Sequence, residues 1–430
     1  MINTNTSRNT QRIYRLDNTA NLYPAIRNKK RPGVFRVSAT LYQQVDPVLL
    51  QSALDLTLMR IPGFSVRLRS GLFWHYFVHT DEKLLVKSDV LNPCTQMTDE
   101  SNHGFLIRVR YYKDRIALEI FHALTDGVGA MVFLKTLVAQ YLRHLGTKIP
   151  ATDGVLNCDV KPLGEENSDQ FQTFARNSPT RKTSRSIAYH VRGSAIDPDD
   201  IRIIYGKTPI ASLKNASKKL NVTITEYLAA VYIKVLSDFQ RDHSIQLKLP
   251  VKVQVPVNLR NYFETKTLRN FSAFVTPFIN PERGNYSFNE IVELVHHFLH
   301  YETTKKHLRG QVAGNLRYSK NPLIRMLPLG IKNNLIYLGY QLMGPAFFTS
   351  IFSNIGMVHV PEQMKAHVKS FRFMLGPTHP TNISVAALGY KESVYITFSR
   401  VIEESEIERR FFRFLINEGI PVFVEAFEEI

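Results

Sequence analysis

The chain has 430 residues, too many for one small core and enough for two or three domains. Its 44% hydrophobic and 21% charged residues exclude a disordered chain, and its two cysteines, Cys94 and Cys158, exclude a disulfide framework. A formal charge of +17 favours anionic partners, but the basic residues are scattered in short clusters such as "RNKKR" (27–31) and "RKTSR" (181–185). Without a long basic helix, an RNA-binding aromatic signature or zinc-finger spacing, no nucleic-acid partner is expected.

In chain order, the segment "MINTNTSRNTQR" has no apolar run, so no secretory signal is expected, and the few cysteines point to a reducing, cytoplasmic setting. "VFRVSATL" (34–41) alternates apolar and polar residues with period two and predicts a half-buried strand. "DPVLLQSALDLTLMRIPG" predicts a helix capped by Asp46, started at Pro47 and stopped by Pro62 and Gly63. Short strands are predicted at 64–69, 73–79, 105–112 and 115–121, the last two forming a hairpin across "KD". A helix with Met131, Leu134, Val138 and Leu142 on one apolar face follows at 130–145.

From Gly146 to Asp200 the pattern dissolves into polar, turn-rich sequence, read as a crossover. Periodicity returns with a strand at 201–206 and two helices, the second opened by a capping box of Thr223 and Glu226. Strands are predicted in "KLPVKVQVPVNL" and "NFSAFVTPFI", then a helix with a capping box of Ser287 and Glu290. "LIYLGYQLMGPAFFTSIF" (335–352) reads as a buried helix running into a buried strand, because Gln341, Gly344, Pro345 and Thr349 interrupt it as a membrane span. A weak association with a membrane surface stays open there. Two more strands, "NISVAAL" and "SVYITFS", and a helix capped at Ser405 close the chain, giving an α+β protein with two mixed halves.

One stretch carries chemistry. "FHALTDGVGA" (121–130) ends an apolar strand on His122, places Asp126 four residues later, and adds Gly127 and Gly129, which would permit a tight turn. Either the polar residues face water at an ordinary strand end, or an imidazole suited to proton transfer near neutral pH is aimed into a cleft. Asp126 could hold the loop or orient the ring. Other candidates are weaker. "HHFLHYE" pairs His296 with His300 at i, i+4, a spacing that could bind a metal, but with no obvious further ligand it reads as a solvated helix face and no metal is expected. His75 and His79 alternate along a strand, and Cys94 and Cys158 lack a neighbouring base. No dinucleotide, Walker or G-x-S-x-G motif occurs.

"HALTDG" resembles the H-x-x-x-D-G motif of the CoA-dependent acyltransferase superfamily, which includes chloramphenicol acetyltransferase, plant BAHD acyltransferases, condensation domains and alcohol acetyltransferases. "LDNTANLYP" (16–24), "RIPGFSVRLR", "VPVNLRNYF" (255–263), "LRNF" (268–271) and "SNIG" (353–356) follow in the expected order, most like the alcohol acetyltransferase branch. The resemblance implies two chloramphenicol-acetyltransferase-like halves facing each other across a tunnel, here 1–165 and 201–430 joined by a crossover at 166–200. It implies His122 as general base in a direct transfer from acyl-CoA to an alcohol, with no permanently bound cofactor and no metal. Asp126 and Gly127 would be architectural, Arg260 from the second half would pair with Asp126, and Asn258, Ser353 and Asn354 would contact substrate in the tunnel.

The chain departs from the pattern of the family it resembles in two places. Phe121 stands where condensation domains usually carry a second histidine, and the D-F-G-W-G stretch of plant enzymes is absent. Two other readings therefore stand beside the first. One is a condensation-type transfer from an acyl carrier protein to an amine or hydroxyl; the other is a non-catalytic docking member of the fold. The active site between halves of one chain is compatible with a monomer, and the surplus of Lys and Arg with the phosphates of CoA or an acidic carrier protein.

Overall fold

The structure is a computed structural model that describes residues 12–17, 19–174, 186–243, 248–343, 345–378 and 380–426; the basic cluster at 181–185 and most of the N-terminal segment lie outside them. The period-two alternation at 34–41 produces an interior strand, Val34–Leu41, of a five-stranded sheet, but not a half-buried one: both faces are covered, Arg36 and Ser38 included. On one side it pairs antiparallel with Arg115–Phe121, which forms the predicted hairpin with Ile107–Tyr112. On its other side lies Val368–Leu375, a strand from the far end of the chain, with Phe371 opposite Ala39 and Phe373 opposite Val37. The first half's sheet is thus completed by the second half.

The sheet packs under two helices. Pro47–Arg60 starts as predicted, with Asp46 accepting from the Val48 and Leu49 amides at 2.8 and 3.2 Å. Gly127–His144 is not the one-faced helix its apolar stripe predicts. Phe133, Leu137, Ala139 and Tyr141 are buried as well, so it runs through the interior with almost every side covered.

The second half is built on an eight-stranded mixed sheet. Its central run is Val251–Asn258, Ser350–Met357, Ile383–Tyr390, Ser393–Arg400 and Arg202–Pro209. Helices Ile224–His243 and Phe288–Glu302, both opened by the predicted capping boxes, cover one face together with Glu406–Asn417. Ser405 makes no side-chain cap to that last helix, contrary to its sequence pattern. Tyr205, Leu388 and Tyr390 of this sheet join the core of the first half, so the apolar interior is continuous across the two.

The segment read as a buried helix running into a buried strand divides differently. The strand is buried, with Phe352 fully covered, but helix Leu329–Met343 turns Leu335 and Leu338 outward at 54% and 55% exposure. No described helix is long and apolar enough to cross a membrane.

The second-half strand is seated against the first half without slack. A Cβ added at Gly376, one residue past its end, would lie 2.1 Å from the Val34 carbonyl oxygen and 2.9 Å from Cys94 Cβ. Gly376→Ala is expected to force the two strands apart and lower stability by about 1–3 kcal/mol. Denaturant unfolding checks this.

Candidate active site

The strand Arg115–Phe121 fixes where the histidine emerges. Phe121 is paired with Val34, the His122 amide donates to the Gly33 carbonyl at 2.8 Å, and the chain then turns away, Leu124 N–H bonding back to Phe121. The ring is held on two sides by aromatic residues. Tyr23 stacks on it with ring centroids 4.7 Å apart and an 11° tilt, and Phe35 meets it edge-on at 4.9 Å. His122 lines a cavity of about 1100 Å³ whose walls come from both halves.

Asp126 is the junction of the site. One oxygen, Oδ1, caps helix Gly127–His144 by accepting from the Val128 and Gly129 amides at 3.2 and 3.1 Å. The other, Oδ2, accepts from Arg260 Nη1 and from the Phe271 amide, both at 2.8 Å and both from the second half. Burial alone would raise the Asp126 carboxyl, but the Arg260 charge and the surrounding donors hold it below the ordinary value.

Arg260 is in turn held at every nitrogen. Its Nε donates to Thr267 O at 3.0 Å and its Nη2 to Arg269 O at 2.6 Å, so one guanidinium shapes the loop from 260 to 271. That loop then touches the helix start directly. Thr125 Oγ1 donates to Leu268 O at 2.5 Å, and a Cβ added at Gly129 would lie 2.4 Å from the same oxygen. A Cβ at Gly127 would lie 2.9 Å from Ile355. The two glycines therefore do not make a tight turn; they leave room for the second half to approach.

The same loop delivers a residue that sequence reasoning did not single out. Asn270 Oδ1 lies 3.2 Å from His122 Nδ1. The Asn270 amide nitrogen faces three acceptors: Asp17 Oδ2 at 3.2 Å, the His122 carbonyl at 3.0 Å and the Ala123 carbonyl at 3.3 Å. With its N–H groups committed there, the asparagine presents its oxygen to the ring. His122 Nδ1 must carry the proton, and Nε2 is left bare. Burial pulls the imidazole below its ordinary value, opposed by its own carbonyl, Asp126 and Asn270. Asp17 is itself pushed up to about 6 by burial, with the Arg269 charge pulling against it.

The remaining sequence candidates fall around the same cavity. Asn258, Ser353 and Asn354 all line it. Asn258 Oδ1 also accepts from the Arg260 amide and Nη1 at 3.1 and 3.3 Å. Asn354 is spent on Thr225 Oγ1 and the Gly356 amide, at 3.0 and 2.9 Å. The segments holding Asp17, Tyr23 and Asn270, "LDNTANLYP" and "LRNF", had stood out in the sequence without any role for those three residues.

No protein-family profile and no curated protein sequence matches the chain. Solved structures do. TRI101 of F. sporotrichioides, complexed with coenzyme A and T-2, superposes with a TM-score of 0.65 at 12% identity, covering 93% of this chain and 97% of that one. TRI101 of F. graminearum, complexed with coenzyme A and T-2 mycotoxin, gives 0.63 at 12% over 93% and 96%. The epimerization domain from the third module of tyrocidine synthetase B gives 0.61 at 13% over 95% and 96%. The chain has the two-lobed chloramphenicol-acetyltransferase-like fold. This is the fold that the sequence resemblance implies, and it is common to acyltransferases and condensation domains.

Within that fold, removing either member of the pair between the halves leaves the other charge without its counter-ion in a largely covered site. Arg260→Met and Asp126→Ala are each expected to lower stability by about 3–5 kcal/mol. The Asp126 contribution should be present at neutral pH and be lost only as pH falls through its depressed folded-state value. Denaturant unfolding as a function of pH reads both effects, and an Arg260→Met variant as stable as the wild type would contradict them.

Proposed function

We propose that the chain is an acyltransferase that moves an acetyl or longer acyl group from acyl-CoA to the hydroxyl of an alcohol, with His122 as general base. The observation that carries this reading is the chain of contacts from Asp17 through Asn270 to Nδ1 of a ring that lines the cavity between the halves, from which we infer a proton on Nδ1. An imidazole so held offers Nε2 to an incoming hydroxyl.

The hydroxyl oxygen attacks the thioester carbonyl as Nε2 takes its proton. The C–O bond forms, the C–S bond breaks, and the proton is returned to the departing thiolate. A general base of this kind is worth about 10²–10⁴ in rate, and holding both substrates in one cavity adds through positioning. At about 1100 Å³ the cavity is larger than a pocket for one small molecule needs. The solved TRI101 structures hold coenzyme A together with T-2, which supports a CoA thioester as donor here. Asp126, Gly127 and Arg260 act as architecture, while Asn258, Ser353 and Asn354 are offered as tunnel contacts.

A second reading, a condensation-type transfer from a carrier protein, is favoured by the condensation and epimerization domains among the similar structures. Against it, Phe121 is 1% exposed and packs edge-on against Tyr23, so that position offers no second base.

Thiol release from acetyl-CoA across a panel of alcohols and amines tests the proposal. Acceptor-dependent release should fall by about 10²–10⁴ in a folded His122→Ala protein. Because the base must be neutral and its value is depressed, kcat/KM should rise with pH through a value below the ordinary 6.5 and stay flat above it. Unchanged turnover in His122→Ala would contradict the mechanism.

A further inference from the structure

The i, i+4 histidine pair on Phe288–Glu302 is only in part the solvated face its sequence suggests: His300 is exposed, but His296 is largely covered. Helix Ile224–His243 brings Glu226, 6% exposed, against both rings. His296 Nδ1 lies 3.4 Å from Glu226 Oε2, and His300 Nε2 lies 3.3 Å from Oε1. A tetrahedral zinc ion with bonds of about 2 Å sets its ligand atoms about 3.3 Å apart. Each histidine-to-carboxylate spacing is of this size, though to a different Glu226 oxygen, and one ligand atom from each of the three residues falls within 4.8 Å of the others.

Two further features fit a metal better than an ordinary hydrogen-bonded pair. His296 Nδ1 is buried yet has no hydrogen-bond partner, so its 3.4 Å approach to the carboxylate does not satisfy it. Glu226 Oε2 is anchored by the Thr223 amide at 2.7 Å, the outer-shell support that orients a ligating carboxylate. Glu226 and His300 also line the large cavity, and His300, 66% exposed, places the cluster at its rim.

We propose that Glu226, His296 and His300 form a binding site for a zinc-class divalent cation on the second half's wall of the tunnel. Two neutral imidazoles and one carboxylate are a borderline-soft donor set suited to zinc rather than to magnesium or calcium. Three protein ligands leave a fourth position for water or an anionic oxygen.

Calorimetric titration of the full chain with zinc chloride, repeated by visible absorption with cobalt(II), tests the site. One equivalent should bind, and cobalt should show the intense absorption of a four-coordinate ion. His296→Ala and His300→Ala should each weaken binding by at least the roughly 10–100-fold that loss of an outer-shell partner costs. Glu226→Gln, which keeps the capping-box acceptor, should do the same. His297→Ala, on the same helix but outside the cluster, should bind like the wild type. Absence of zinc binding by the wild type, or unchanged affinity in the three cluster variants, would overturn the proposal.

Discussion

The Asp126–Arg260 pair is the constraint on which the rest of the site depends. A carboxylate buried at the junction of two halves is costly unless every lone pair is used, and Asp126 receives four donors, two from its own helix and two from the opposite half. Arg260 repeats the pattern, reaching two backbone carbonyls and the Asn258 side chain as well as Asp126. Because the carboxylate and all three guanidinium nitrogens are engaged, the loop that carries Arg260 is tightly placed. It sets Leu268 on Thr125 and Gly129, and two residues later Asn270 on His122. The ring is therefore oriented by the half of the molecule that does not carry it.

This coupling explains why the cavity is a property of the whole chain. The first half's sheet needs Val368–Leu375, its core needs residues such as Tyr205 and Leu388, and its histidine needs Asn270. The loop behind Asn270 has its own apolar support, where Leu259, Phe263 and Phe271 pack with Leu308 and Val312 of helix Lys305–Lys320. Displacing that helix would be felt at the imidazole through backbone, without contact. The proposed cation site sits on the opposite arrangement: two elements of the second half alone, Ile224–His243 and Phe288–Glu302, so its occupancy need not track the junction.

Much of this was legible in the sequence because the signals are local. Alternation located Val34–Leu41 and the short "KD" connection located Arg115–Phe121, both to the residue, and the Asp46 cap and the two capping boxes opened their helices where the pattern put them. What was not legible depends on contacts between distant segments. Asn270 lies 148 residues from His122, and nothing in "LRNF" says which side chain will turn toward it. Glu226 looked complete as a capping residue, so its second set of neighbours on another helix had no sequence signal. The stripe of Met131, Leu134, Val138 and Leu142 predicts a one-faced helix at 130–145, yet even the polar residues Lys135 and Gln140 of helix Gly127–His144 are buried, Lys135 donating to the His359 carbonyl at 3.1 Å. The helix at 329–343 erred in the other direction, apolar in composition but facing outward at Leu335 and Leu338.

The claim that ties these observations to chemistry is that the Asp17–Asn270 pair holds His122 with its proton on Nδ1. Nitrogen-15 NMR of histidine-labelled protein, with His122 assigned by comparison with His122→Gln, reads the tautomer directly. The account predicts a protonated Nδ1, an unprotonated Nε2, and titration below the ordinary histidine value of about 6.5. A ring protonated at Nε2 at neutral pH would contradict it.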